Sequence, residues 1–270
     1  MISYKIPPTS PTKTPLDPLA LRDVIDLSLW AGQLLLHFGA DTQRIEETIH
    51  RLGTGLGADW LDILISPNAV IITTSSGGEF RTKVRRVVNI GVNLTVVDEI
   101  NRLSRQVAAG ELDRAQVRQA LERISTQAPQ YNRWWVVLMV GMACAAFSRL
   151  FGGDAGAFFV TLLAGSAAMF VRQELHQRYF PPYIIVLLSS ITAALIGSTA
   201  YHWELSQTPQ HALAAAVLLS VPGVPLINST TDLLSGHLVT GVIRGINGGI
   251  ITLMLALGLF VAIELTGIKL

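Results

Sequence analysis

Apolar and polar positions follow two different rules along this chain. Before about residue 130 they alternate at helical or strand spacing. Beyond Trp134 they merge into long apolar runs. In the first part, Asp17-Pro18 predicts an N-cap with proline at the first helical position, and Leu21, Ile25, Leu29 and Leu36 carry a helix to Phe38, where Gly39 ends it. Asp41 or Thr42 then caps a second helix through Ile45, Ile49 and Leu52, closing in Gly53–Gly57. Two short β-like runs follow, Trp60–Ser66 and Ala69–Ser75, parted by Pro67-Asn68. A polar turn over Ser75–Glu79 leads to a third strand candidate, Thr82–Val88. Helices are predicted over Leu94–Ala108 and Arg114–Gln127, separated at Gly110.

The second part offers five apolar segments: Trp134–Phe151, Ala155–Val171, Tyr183–Trp203, Ala212–Thr230 and Gly245–Leu265. Each is near the ~17–25 residues that a membrane span needs. The fold class expected is a polytopic α-helical membrane protein of about five transmembrane helices, preceded by a small α+β cytoplasmic domain. Its parts are a disordered tail over 1–18, the α+β domain over 19–130, and a transmembrane domain over 131–270 with a broken helix at 221–232.

That break is the most informative local pattern. Val221–Gly245 lies between long apolar segments yet holds Pro222, Pro225, several glycines, Asp232 and Arg244. A helix that breaks in a bilayer frees backbone groups, which only protein or a wet cavity can satisfy. In transporters such breaks mark substrate sites. If a helix restarts after Pro225, its free N–H groups near Leu226–Ser229 suit a carboxylate. Asn228, Asp232 and Ser235 then share one face, and Ser220, Ser229, Thr230 and Thr231 add hydroxyls. Gly241, Gly245 and Gly249 line one face of the last span, where backbones can approach closely; Gly141 and Ala145 make a weaker pair.

Charge separates the halves further. Residues 1–133 carry 15 Lys/Arg and 14 Asp/Glu, and residues 134–270 carry 5 of each. The net charge of +1 averages two solvents and says nothing for nucleic acid. The first 18 residues have no apolar core of a secretory signal. Cys144, the single cysteine, gives neither a disulfide framework nor a thiolate metal site. No P-loop, dinucleotide fingerprint or HExxH motif occurs, so no cofactor and no metal are expected. The basic run Arg81, Lys83, Arg85 and Arg86 reads as a solvated strand or a contact with headgroups or a partner. Arg44, Glu46 and Glu47 could form a charged pocket. Arg133 and the loop RQELHQRYFPP, with Arg172 and Arg178, place the N-terminal domain inside by the positive-inside rule; Arg149 opposes this mildly, with Asp154 as its candidate partner. Five spans leave the C-terminus outside, and an odd count suits an inverted complement in a second chain or copy.

Three blocks carry a family resemblance: FGADTQRIEETIHRLG (38–53), RVVNIGVNLTVVDEINRLSRQVAAGEL (86–112) and VPGVPLINSTTDLLSGHLVTGVIRG (221–245). Together they resemble the threonine/serine exporter family, from about residue 20 to the C-terminus. That family has long single chains and a split form, and this chain resembles the large subunit of the split form. The resemblance implies a small all-membrane partner subunit, a bacterial inner-membrane location and export of a small carboxylate metabolite, either threonine/serine or a dicarboxylate such as succinate. Nothing in spacing or composition chooses between these substrates.

Pro222, Gly223, Pro225, Asn228, Ser229, Asp232 and Arg244 are the expected substrate-binding residues. Arg244 would bind a substrate carboxylate or neutralise Asp232. Asp232 could take a coupling proton or a substrate amino group. His237 reads as interfacial and Glu264 as solvated. Two other readings stay open: a regulatory or scaffolding subunit, and a membrane-anchored hydrolase, for which no nucleophile elbow is visible.

Overall fold

The computed structural model describes residues 15–88, 91–126, 131–218 and 220–268. The chain forms two compact units, Met1–Ala128 with Val224–Gly245, and Pro129–Gly223 with Ile246–Leu270.

In the first unit, Asp17 accepts from the Ala20 amide and starts α1 (Pro18–His37). Asp41 starts α2 (Thr42–Gly55) in the same way, accepting from the Arg44 amide at 2.9 Å. Three antiparallel strands follow in sequence order, β1 (Trp60–Ser66), β2 (Ala69–Ser76) and β3 (Glu79–Arg86). Buried residues alternate along β2, at Val70, Ile72, Thr74 and Ser76, so one sheet face meets the helices. Gly77 and Gly78, both at positive φ (56° and 90°), form the two-residue turn between β2 and β3. Such a turn requires two left-handed residues, which glycine supplies without strain. The third strand therefore starts at Glu79 rather than Thr82 and ends at Arg86 rather than Val88. Helices α3 (Leu94–Ala108) and α4 (Arg114–Ser125) complete the core; an Asp113–Gln116 capping box opens α4. The expected end of α4 at Gln127 lies outside the described residues. Leu27, Leu35, Ile45, Ile49, Ile72, Ile100 and Leu121 are fully enclosed in one cluster.

The expected disordered tail falls mainly on residues 1–14, outside the described residues. It does not reach Pro18. The Leu16 amide donates to Ser76 Oγ at 2.9 Å, and Leu16 packs against the core.

The second unit contains α5 (Arg133–Leu150), α6 (Ala155–Gln177), α7 (Pro182–His202), α8 (Pro209–Leu218) and the larger part of α10 (Leu238–Thr266). Its helices meet through small residues. Alanines 164, 168, 193, 194 and 216 are buried. A Cβ on Gly141 would sit 2.6 Å from the Leu162 carbonyl oxygen, and one on Gly258 would sit 2.9 Å from that of Leu187. Close backbone approach of this kind is how helices pack where no hydrophobic effect drives them together.

Helix bounds correct two expectations and keep the expected break in the fourth segment. Helix α6 runs to Gln177, so Arg172 stands on a helix and not in a loop; the helix closes only where Tyr179 turns left-handed (φ 59°) and the Tyr179 and Phe180 amides turn back to the His176 and Leu175 carbonyls. The fourth apolar segment is two helices, α8 and α9 (Gly223–Leu234). Helix α10 begins at Leu238, seven residues before Gly245 and just past the turn at Gly236 (φ 88°) and His237, so Arg244 lies inside it. Among the described residues, α5, α6, α7 and α10 are each long and apolar enough to span a bilayer, and α8 with α9 makes a fifth if counted as one broken span.

Polar groups fasten the ends of the second unit. Arg133 and Arg178 each approach Glu174 at 3.2 Å. The Arg133 guanidinium also sits over the rings of Trp134 and Phe170. Arg149 donates to the Gly153 carbonyl at 2.8 Å, and its charge also favours the ionised Asp154 carboxyl without a direct hydrogen bond. Asp154 caps α6 and draws in the loop before α8, accepting from the Ala157 amide (2.7 Å), Ser206 Oγ (2.7 Å) and the Gln207 amide (2.6 Å). These bonds, the Ala157 amide first, lower its carboxyl from 3.8 to about 2.

Candidate functional site

The α1–α2 corner is built by local rules. At the end of α1, Gly39 takes φ 84°, and the Ala40 and Gly39 amides turn back to the Leu35 and Leu36 carbonyls. This Schellman arrangement satisfies the helix end and leaves the Gly39 and Ala40 carbonyls facing outward. A Cβ on Gly39 would stand 2.9 Å from the Gly91 carbonyl oxygen, a second reason for glycine there.

The α9–α10 corner repeats the device. His237 and Gly236 amides turn back to the Asp232 and Leu233 carbonyls. Three residues, Ser235, Gly236 and His237, separate the helices, making an αα-hairpin. Its arms press closely. Ser229 Oγ donates to the Gly241 carbonyl at 2.7 Å, and a Cβ on Gly245 would come within 2.8 Å of that hydroxyl oxygen. Gly241 lies against Leu233, whereas a Cβ on Gly249 would meet nothing within 4 Å.

The hairpin's polar face seats on the α1–α2 corner. Asn228 Nδ2 donates to the Gly39 carbonyl (2.7 Å), Arg244 Nη2 to the Ala40 carbonyl (2.9 Å) and Ser235 Oγ to Gln43 Oε1 (3.1 Å). The Thr42 amide donates to Asp232 Oδ1 at 2.9 Å. Asp232 and Asp41 thus share the N-terminus of α2, where the helix dipole and its free amides favour carboxylates. Asp232 is fully enclosed, and its Oδ2 stands 2.9 Å from Arg244 Nη1. That contact is ionic and lacks hydrogen-bond alignment, so these two atoms keep unused bonding capacity.

Other groups surround the pair. His237 Nε2 lies 3.7 Å from Glu46 Oε2. Burial, opposed by His237 and reinforced by Asp232, raises the Glu46 carboxyl above its ordinary range. Thr240 Oγ1 reaches the Ile65 carbonyl at 3.4 Å, tying the start of α10 to β1.

The structure seats three of the expected binding residues, Asn228, Asp232 and Arg244, on the α1–α2 corner, while Ser229 bonds the Gly241 carbonyl between the hairpin arms. Pro222, Gly223 and Pro225 stand apart as the helix break. The restart comes at Gly223 and not after Pro225, because proline fits the first helical turn, where its missing N–H is not needed. The free amides are therefore not those near Leu226–Ser229. Arg44, Glu46 and Glu47 do not form one pocket: Arg44 pairs with Asp41 at 3.2 Å, Glu47 accepts from Gln43, and Glu46 faces His237. Of the basic run on β3, Lys83 pairs with Asp26 at 2.5 Å. Sequence reasoning missed the roles of Gly39, Ala40 and Thr42, which act through backbone atoms. Their only signal was membership of the 38–53 block.

These features define a multi-pass helical membrane protein with an N-terminal α+β region and a buried ion pair beside a helix break. The family described as "Putative threonine/serine exporter" matches residues 26–266, and the chain belongs to that family, a family of transporters and not of enzymes. It is similar to a protein of Escherichia coli named "Probable succinate transporter subunit YjjP", with 35% identity over 92% of this chain and 96% of that one. It is also similar to the "Threonine/serine exporter" of Corynebacterium glutamicum, with 22% identity over 87% of this chain and 51% of that protein. No solved structure matches.

Proposed function

We propose that this chain is the large subunit of a two-subunit bacterial inner-membrane exporter that moves a small carboxylate metabolite out of the cytoplasm by secondary transport. The observation that carries the reading is the Asp232 carboxylate, held between the Thr42 amide and the Arg244 guanidinium. A helix N-terminus and an arginine are what a carboxylate ligand requires, and here a side chain of the protein fills that place. Protonation of Asp232 weakens its hold on both donors and frees them for a substrate carboxylate, which couples the site to protons. Asn228 and Ser229 frame the site, and Pro222, Gly223 and Pro225 hold the break that leads to it.

The similarity to a protein named as a succinate transporter subunit supports both the dicarboxylate and a partner subunit. The similarity to a threonine/serine exporter keeps amino acids as the competing substrate class. The partner is a small all-membrane subunit that completes the path, and the α+β region lies in the cytoplasm.

Vesicles holding this chain with its partner, loaded with labelled succinate or threonine, test the proposal. Efflux should need both subunits and should respond to a proton gradient. Efflux of neither compound, or equal efflux without this chain, would overturn it.

A further inference from the structure

The helices of the first unit cover one face of its sheet, and the buried positions of β2 mark that face. The positions between them point the other way, and the register carries that outer face across all three strands. Leu64, Ile71 and Val84 form one cross-strand row on it, with Ile71 in the middle. Four residues along, Trp60 and Phe80 flank Ser75 in a second row. Leu64, Phe80 and Val84 are 62%, 65% and 58% exposed. Exposed apolar side chains standing singly are ordinary, but adjacent ones in rows mark a contact surface. Between the two rows lies a polar one, Asp62, Thr73 and Thr82, whose threonine hydroxyls bond each other at 2.9 Å.

We infer that this outer face is a contact between two copies of the chain, related by a two-fold axis running along β2. The inference is independent of the exporter reading. Its ground is that the face is complementary to itself. An axis along β2 sets each β1 residue against the β3 residue of the same row in the second copy. Leu64 then meets Val84 of the second copy, Trp60 meets Phe80, and Ile71 meets its own counterpart on the axis. The two charges of the face also fit. Asp62 meets Thr82 and Arg86 meets Ser66, so no like charges oppose one another. An axis across the strands would instead set Asp62 against a second Asp62 or against Leu64.

Two twisted sheets pack face to face with their strands about 30° apart, and an axis along the strands allows that arrangement. A bilayer surface fits the face less well, because one acid and one base leave it without the Lys/Arg excess that holds an amphipathic surface on lipid. The contact is small. Strands of seven residues, three abreast, offer roughly 300 Å² per copy. That is short of what a dimer free in solution needs. Two copies anchored in one bilayer meet at a raised local concentration, which supplies the missing affinity.

The test uses the full chain in vesicles, alone and with its partner subunit, treated with a short bifunctional thiol reagent. Cys144 is buried, and the unsubstituted chain serves as the blank. Ile71→Cys should link to itself. Thr73→Cys, next on the same axis, should do likewise and keeps the test open if Ile71→Cys fails to fold. Leu64→Cys and Val84→Cys should link severalfold better when inserted together than when either is alone. Val84→Arg, added to the Ile71→Cys chain, should cut the linked fraction about tenfold or more, because the contact would then bury two unpaired charges. Absence of links from both Ile71→Cys and Thr73→Cys would overturn the inference, as would links that Val84→Arg leaves unchanged. A link from Ile71→Cys to the partner subunit would give the face to that subunit instead. Shielding of Ile71→Cys from a water-soluble thiol reagent, with no link formed, would give it to the bilayer. Efflux enters none of these readouts, so the exporter reading stands or falls separately.

Discussion

Asp232 Oδ2 and Arg244 Nη1 lie 2.9 Å apart on opposite arms of the α9–α10 hairpin, and each residue also binds the backbone of the α1–α2 corner. The pair therefore has a fixed polarity. The Thr42 amide faces the acid and the Ala40 carbonyl faces the base. A hairpin some two hundred residues later in the chain is thus bound to the α1–α2 corner within one compact unit.

Removing one charge leaves the other buried and alone. Asp232→Ala should destabilise the purified protein by about 3–5 kcal/mol, the usual cost of breaking a buried pair. The charge swap Asp232→Arg with Arg244→Asp should not restore stability, because the Thr42 amide and Ala40 carbonyl would each face a charge of the wrong sign. Thermal unfolding in detergent checks both; a swap variant as stable as the wild type would show that the corner does not set the polarity.

Packing between the hairpin arms is tight at Gly245. Gly245→Ala should cost about 1–3 kcal/mol, because the new methyl displaces the Ser229 hydroxyl from the Gly241 carbonyl. Ser229→Ala removes the oxygen that is struck, so the double variant should lose less than the two single losses combined. Unfolding midpoints of the four proteins decide this, and strict additivity would contradict the contact.

Gly249 continues that glycine row but meets nothing within 4 Å. Gly249→Ala should leave the isolated chain unchanged or more stable by up to about 1 kcal/mol, since alanine favours a helix. Gly249→Leu should leave the chain folded yet weaken its complex with the partner subunit, measured by co-purification. Unimpaired assembly would remove Gly249 from the interface.

The loop clasp at Asp154 sets an acid limit. Its folded value of about 2 lies below the ordinary 3.8, so its contribution is complete above about pH 4 and is lost as pH falls towards 2. Asp154→Asn should lower stability at neutral pH and flatten the dependence between pH 4 and 2. Unfolding temperatures measured across that range test it; parallel curves for the two proteins would refute the clasp.

Much of this was legible in the sequence because it is local. Caps at Asp17 and Asp41, glycine stops at Gly39 and Gly110, the alternation along Ala69–Ser75 and the apolar lengths of the spans are all rules within a few residues. The polar face of Asn228, Asp232 and Ser235 was legible from helical spacing alone. Its destination was not, because the groups it meets are backbone atoms of Gly39, Ala40 and Thr42, whose identity says little about what they bind. Helix ends misled where good formers ran past the apolar stretch, as at Gln173–Gln177. Arg172 was read by the sign of its charge, which orients a loop. Its place on α6 depends on where that helix ends.

The central claim is that the Asp232–Arg244 pair works in transport and does more than hold the fold. Efflux of labelled succinate from vesicles containing the assembled complex tests it most directly, comparing wild type with Asp232→Asn at equal inserted amounts. Asparagine keeps the acceptor for the Thr42 amide but can neither carry a proton nor pair with Arg244. The account predicts efflux reduced at least about tenfold, consistent with loss of a charged interaction, with insertion and assembly intact. Wild-type efflux by Asp232→Asn would contradict it.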